Sequence, residues 1–163
     1  MSIEAAYVHL SEFNAQDRIL TFEVSSATVE LAAKALGVKP QCIAKTLAFR
    51  YKDTALLVVT AGDVKIDNQK FKSQFGIKAR MLDPQETLDL VGHGVGGVCP
   101  FGIKAGCIVT LDTSLKRFDT VFPAVGSSNS AIELDLIELE HFSKAQQWVD
   151  VCKINMLEEA HHE

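Results

Sequence analysis

No apolar run in this 163-residue chain approaches the ~20 residues that a bilayer-crossing helix needs; the longest, around Ala55 to Ala61, is far shorter. The N-terminus carries Glu4 and no basic flank, so it does not read as a signal peptide, and a cytoplasmic protein is expected. Cysteine is scarce and scattered. The four, at 42, 99, 107 and 152, form no CxxC pair, which argues against a structural zinc site and against the dense disulfide framework of small secreted domains. They read as reduced thiols. Positive charge is in deficit as well: 16 Lys and Arg against 21 Asp and Glu leave a net charge of -5, which excludes indiscriminate binding to a phosphate backbone. No break in composition separates two domains. With 47% hydrophobic and 23% charged residues the chain can bury one core, expected over 1–153, with 154–163 read as a disordered tail.

What is present is a succession of short helices and hairpins. Ile3, Ala6, Tyr7, Leu10 and Phe13 repeat at helical spacing, and a second helix is expected from about Ala27 to Leu36, with Ser26 as N-cap and Gly37 as its stop. TLAFR and ALLVVTAG, separated by Tyr51 to Asp53, predict an antiparallel hairpin. Asp67 to Phe75 reads as a helix ending at Gly76, KARML as a short strand, and Asp83, Pro84 and Glu86 as a capping box that opens a helix to about Val91. CIVTLD, DTVFPAVG, AIELDLI and WVDVC are strand candidates, with a helix near Glu138 to Ala145. Helices and hairpins alternate irregularly, so the fold class expected is mixed α/β (α+β), with a mixed sheet that is not doubly wound.

Glycine, 10 residues in all, is crowded in GHGVGGVCPFG, Gly92 to Gly102. Gly92, Gly94 and Gly97 fit GxGxxG, but that fingerprint must leave a strand and open a helix, whereas this one follows a helix and runs into Pro100. A P-loop is excluded too, because Ile103 intervenes before Lys104, and Ala105 stands where a Ser or Thr would hold magnesium. What remains is a glycine loop pinned by Pro100, whose backbone N-H groups suit an oxyanion or a carbonyl, the alternative being a tight connection. Cys99 with His93 offers a Cys/His nucleophilic pair, the alternative being a small buried residue. The one strongly basic stretch holds Lys65, Lys70, Lys72, Lys78 and Arg80 against only Asp67, and is the expected phosphate-facing segment.

IAKTLAF at 43–49, VVTAGD at 58–63, GVGGVCPFG at 94–102 and GSSNSAIEL at 126–134, in this order and at these separations, resemble the YbaK family. These are aminoacyl-tRNA editing domains similar to the insertion domain of bacterial prolyl-tRNA synthetase, and the likeness runs from about Ala27 to Cys152. It implies a mixed, barrel-like sheet wrapped by helices. It also implies trans-editing, the hydrolysis of the ester that joins a wrong amino acid to tRNA, without metal or cofactor. Lys45 takes the place of the family's essential lysine, which positions the terminal nucleotide or its phosphate, with Thr46 beside it. Gly96, Gly97 and Val98 correspond to the segment that holds the aminoacyl carbonyl, flanked by His93, Cys99 and Pro100. Ser127, Ser128 and Asn129 match a polar turn near the same pocket.

The resemblance further implies that mischarged tRNA, of the tRNA(Pro) type, is the partner, with a prolyl-tRNA synthetase alongside, and that the basic segment meets the tRNA. Family members remove cysteine, alanine, serine, threonine or related side chains. GGVCPFG departs from the GGCSP-type loop of the cysteine-specific branch, so the expectation is a small side chain of unspecified identity. Two rival classes stand beside this reading: a tRNA- or nucleotide-binding module without catalysis, and a thiol hydrolase using Cys99 and His93.

Overall fold

A computed structural model describes residues 2–23 and 28–154. In chain order the elements are α1 (Ser2–Ser11), β1 (Ile19–Thr21), α2 (Val29–Leu36), β2 (Ile43–Tyr51), β3 (Thr54–Ala61), β4 (Val64–Ile66), α3 (Asn68–Phe75) and α4 (Pro84–Leu90). They continue with β5 (Ile108–Asp112), β6 (Thr120–Pro123), β7 (Ser130–Ile132), β8 (Leu134–Asp135), α5 (Leu136–Ser143), β9 (Gln147–Val149) and β10 (Cys152–Ile154). The main sheet has six strands in the order β8-β6-β2-β3-β5-β9, and β1-β7 and β10-β4 form two small antiparallel pairs. The sheet is mixed: β2 and β3 pair antiparallel, whereas β6 lies parallel to β2, and β5 parallel to β3. It curls into a half-barrel with helices around it, the architecture the family resemblance implied.

Burial explains the unbroken apolar run in β3. Residues 55–61 are all buried because both faces of the strand are covered, which removes the usual alternation. One face meets the main core around Phe49, Leu56, Val58, Phe71 and Leu111. The other meets a smaller cluster with Ala48, Leu57, Leu82, Val91 and Val109. The expected punctuation holds at several helix ends. Asp83 and Glu86 form the capping box with Pro84 in the first turn of α4, and Gly37 and Gly76 close α2 and α3 in the left-handed region. Among the described residues no helix is long and apolar enough to cross a membrane.

Four expectations need correction. The cap of α2 is Thr28, whose side chain accepts from the Leu31 N-H at 3.1 Å, and the expected Ser26 lies outside the described residues. KARML is no strand: only Met81 bridges to Phe49, because the chain turns into the α4 cap at Asp83 directly afterwards. AIELDLI is not one strand, since Asp135 and Glu138 form a second capping box and start α5 at Leu136. WVDVC divides between two sheets, β9 pairing with β5 and β10 with β4. At the division, buried Asp112 accepts the Val151 N-H at 2.9 Å. Ile154 closes β10, and the rest of the segment read as a tail, 155–163, lies outside the described residues.

Candidate functional site

The parallel register of Ile43 with Phe122 and Ala44 with Pro123 sets β6 beside the start of β2. A cavity of about 250 Å³ opens there, walled by β2, α2, the entry to α4, the glycine loop and the stretch from β6 to β7. Most of its wall is apolar, with Val29, Ala32, Ala44, Leu82, Phe122 and Ala124 among the lining residues. Its polar groups are few. Thr46 Oγ1 is buried and has no hydrogen-bond partner among the described residues, a state that costs free energy until something polar enters. Thr87 and Ser130 also line the wall, but their hydroxyls donate to the carbonyls of Asp83 at 2.8 Å and Val125 at 3.0 Å.

Lys45 lines the cavity from β2, half-buried, and its ammonium donates to the Val64 carbonyl. Asp63 stands close enough to feel its charge. Burial pushes the Asp63 carboxyl up, but hydrogen bonds and charge from Arg117, at 2.5 and 3.0 Å, with a smaller pull from Lys45, hold it below the usual carboxylate range. A permanent negative charge therefore accompanies the lysine.

The glycine loop closes at its base, where the Lys104 N-H donates to the Val91 carbonyl at 3.0 Å. Two of its residues with predicted roles face the cavity: Gly96, held at φ +93°, and Val98. Gly97 does not line it. Its N-H is committed to the Gly94 carbonyl at 3.0 Å, and a Cβ on it would stand 2.6 Å from the Gly126 carbonyl carbon. What approaches Gly97 is thus another stretch of backbone.

His93, Cys99 and Pro100 are buried and absent from the cavity wall. His93 Nε2 lies 2.6 Å from the Phe101 carbonyl oxygen, which only accepts, so Nε2 carries the proton and cannot serve as base toward the Cys99 sulfur 3.5 Å away. Burial pushes the Cys99 thiol up to about 12. The nucleophilic pair weighed in the sequence is a core contact, because an uncharged thiol sealed from solvent is a small apolar side chain.

Ser127, Ser128 and Asn129 lie next to the wall without lining it; from this turn the cavity takes Ser130. Ser127 Oγ donates to Asn129 Oδ1 at 2.8 Å, and Asn129 exchanges hydrogen bonds with the Phe22 backbone, so the turn ties down the end of β1. The basic residues are distributed over β4, α3 and the segment 77–80. Lys70 pairs with Asp150 at 3.2 Å, and Arg80 with Glu86 at 3.4 Å, while Lys65 stands opposite Lys153 across the β4–β10 pair. Lys72 and Lys78 are exposed. Among the described residues no group of three or more His, Cys, Asp or Glu is placed to hold a metal ion.

Thr28, Thr87, Ser130, Met81 and Phe122 line the cavity without having been singled out. The register that brings β6 to β2 joins residues far apart in the chain and leaves no local trace. Only Ser130 had a signal, its place at the end of GSSNS.

The sequence model of the aminoacyl-tRNA editing domain matches residues 23–142, which include every polar residue of the cavity. The chain belongs to the aminoacyl-tRNA editing domain family. This editing domain is 53% identical over 154 residues to the uncharacterized Bacillus subtilis protein YwhH, covering 94% of this chain and 98% of that one. It is 27% identical over 141 residues to the proline–tRNA ligase of Thermosipho melanesiensis, covering 86% of this chain but only 24% of the ligase. The editing domain therefore spans about a quarter of that enzyme. Among solved structures it superposes with a TM-score of 0.84, at 25% identity and over 93% and 97% of the two chains, on a proposed trans-editing enzyme for prolyl-tRNA synthetase. It superposes on the hypothetical protein APE2540 with a TM-score of 0.77, at 26% identity and over 89% and 99% of the chains.

Proposed function

We propose that this editing domain is a free-standing deacylase that hydrolyses the ester of tRNA mischarged with a small amino acid, with tRNA of the proline type as its substrate. The observation that carries the reading is the cavity of about 250 Å³, apolar except for a few groups, with Lys45, Thr46, Gly96 and Val98 in its wall. Two comparisons support it. The proline–tRNA ligases share this domain, and both YwhH and the proposed trans-editing enzyme are matched over nearly their whole length.

An aminoacyl ester is already activated, so holding it and stabilising the tetrahedral oxyanion suffice for large acceleration. Lys45, steadied by the Val64 carbonyl, meets the terminal nucleotide or its phosphate. The aminoacyl carbonyl lies against the Gly96 and Val98 part of the loop, and the Thr46 hydroxyl gains the partner it lacks. The proton acceptor or nucleophile comes from the substrate, through a terminal ribose hydroxyl or the misacylated side chain. The apolar walls sort by size, a second sieve needed because binding alone separates one methylene by only ~1 to 3 kcal/mol.

Deacylation of a panel of tRNA(Pro) charged with alanine, cysteine, serine, threonine or proline tests the reading. The expected result is rapid release of at least one small residue, with proline spared, and loss of that release in Lys45→Ala. A folded wild-type protein that binds the panel and hydrolyses none of it would instead be a binding module.

A further inference from the structure

The far end of the glycine loop is held by a histidine that the proposed chemistry does not use. His9 lies on α1, outside the residues 23–142 that define the family match. The Gly102 N-H donates to His9 Nδ1 at 2.9 Å, and His9 Nε2 stands 2.6 Å from the Phe142 carbonyl oxygen on α5. A carbonyl only accepts, so Nε2 carries a proton and Nδ1 offers its lone pair. The two bonds together require the neutral imidazole.

The surroundings favour that state. Burial lowers the His9 pKa against the opposing bond to Phe142, Lys144 adds to the lowering, and Glu12 opposes it. Lys144 and Glu12 pair with each other at 3.2 Å. From the loop side the Phe101 ring meets His9 edge-on at 5.6 Å, and the Phe101 carbonyl is taken by His93. On α5, His141 contacts Phe13.

The same helix grips the second wall. Ser2 Oγ donates to the Gly126 carbonyl at 2.6 Å, and it is the Gly126–Ser127 backbone on which Gly97 packs. Of the cavity-facing residues, Val98 lies between these two anchor points, Gly97 and Gly102, and Gly96 directly precedes the first.

We propose that His9 is a positioning residue for the editing loop: neutral, it fixes Gly102 and with it the Gly96–Val98 segment, and protonated, it releases the Gly102 N-H and loosens the loop, setting an acid limit on deacylation. The activity part of this rests on the function proposed above; the coupling within the protein does not.

The test pairs two readouts. In the free wild-type protein, amide and histidine-ring NMR resonances are followed from about pH 7.5 to about pH 5, the range in which histidines titrate. The Gly102, Gly96 and Val98 amides should move with the His9 ring midpoint, below the ordinary value of ~6.5. In His9→Asn, whose Oδ1 still accepts from Gly102 and does not titrate, that movement should vanish, leaving any response at the His93 midpoint. Amides that ignore the His9 midpoint would overturn the proposal, even if the variant failed to fold.

Deacylation then separates positioning from mere structure. His9→Gln keeps a donor for Phe142 but not the acceptor for Gly102, so its turnover should fall about tenfold with KM little changed, the scale of one hydrogen bond. His9→Asn should restore turnover near pH 7.5 and lack the acid limb of the wild type. The same acid limb in both proteins would refute the role. Absence of deacylation by wild type would sink the proposed function, while the NMR coupling would still decide the role of His9.

Discussion

The two faces of the glycine loop, eleven residues written in one composition, have opposite environments. Gly96 and Val98 stand in the wall of an open cavity, whereas His93, Gly97, Cys99 and Phe101 are buried. The chemically reactive side chains, His93 and Cys99, are on the sealed face, and the open face carries only glycine and valine in the cavity wall. Reactivity read from residue type therefore points to the sealed side of the loop: a thiol pushed up to about 12 is packing, while the cavity wall is shaped by a glycine at φ +93°.

The largest effect is expected on the open side. Lys45→Ala should keep the fold and lower single-turnover deacylation by at least about 100-fold, the scale of losing one charged contact at a reacting centre. A wild-type rate in the folded variant would remove Lys45 from the site. On the sealed side, Gly97→Ala should act through the fold. Its Cβ would stand 2.6 Å from the Gly126 carbonyl carbon, so thermal or urea melts should show a loss of ~1 to 3 kcal/mol or more, as overpacking does. A variant as stable as wild type but inactive would instead assign Gly97 to catalysis.

A pH series sharpens the same contrast. Burial holds the pKa values of both His9 and His93 below the ordinary histidine range. The unfolded chain then takes up protons before the folded one as pH falls. Stability should be full above ~6.5 and decline below it, toward the folded-state pKa values. Melts that do not change between about pH 7 and about pH 5 would show that neither ring is held neutral. The smallest effect is expected in the basic segment. Lys72 is exposed, whereas Lys70 pairs with Asp150 at 3.2 Å, so Lys72→Glu should raise KM a fewfold and reduce the salt slope by ~1, with turnover unchanged. A salt-independent KM would leave Lys72 an ordinary solvated residue.

Local devices were the legible part of the fold. The hairpin from β2 to β3, the Asp83-Pro84-x-Glu86 start of α4 and the stops at Gly37 and Gly76 each depend on neighbours within a few residues. The three-residue strands β1 and β4 went unread because their partners are distant, Ile19 pairing with Ile132 and Val64 with Ile154. The Asp135 box was hidden by the alternation of AIELDLI, which reads as a strand until Glu138 is seen to reach back to the cap. At the site, four of the marked residues, Lys45, Thr46, Gly96 and Val98, line the cavity. His93 and Cys99 were drawn in by chemistry that burial cancels, and Gly97 by a freedom that serves a neighbouring backbone. The wall supplied by β6 follows from parallel pairing with β2 across roughly half the chain, which no local pattern encodes.

Single-turnover hydrolysis of the best small aminoacyl-tRNA, measured side by side for wild type and Cys99→Ala, tests the backbone mechanism most directly. Catalysis from the open face of the loop predicts rate constants within about twofold of each other, because a buried neutral thiol has no covalent intermediate to lose. A folded Cys99→Ala that no longer hydrolyses the ester would contradict it and return the reaction to the sealed side.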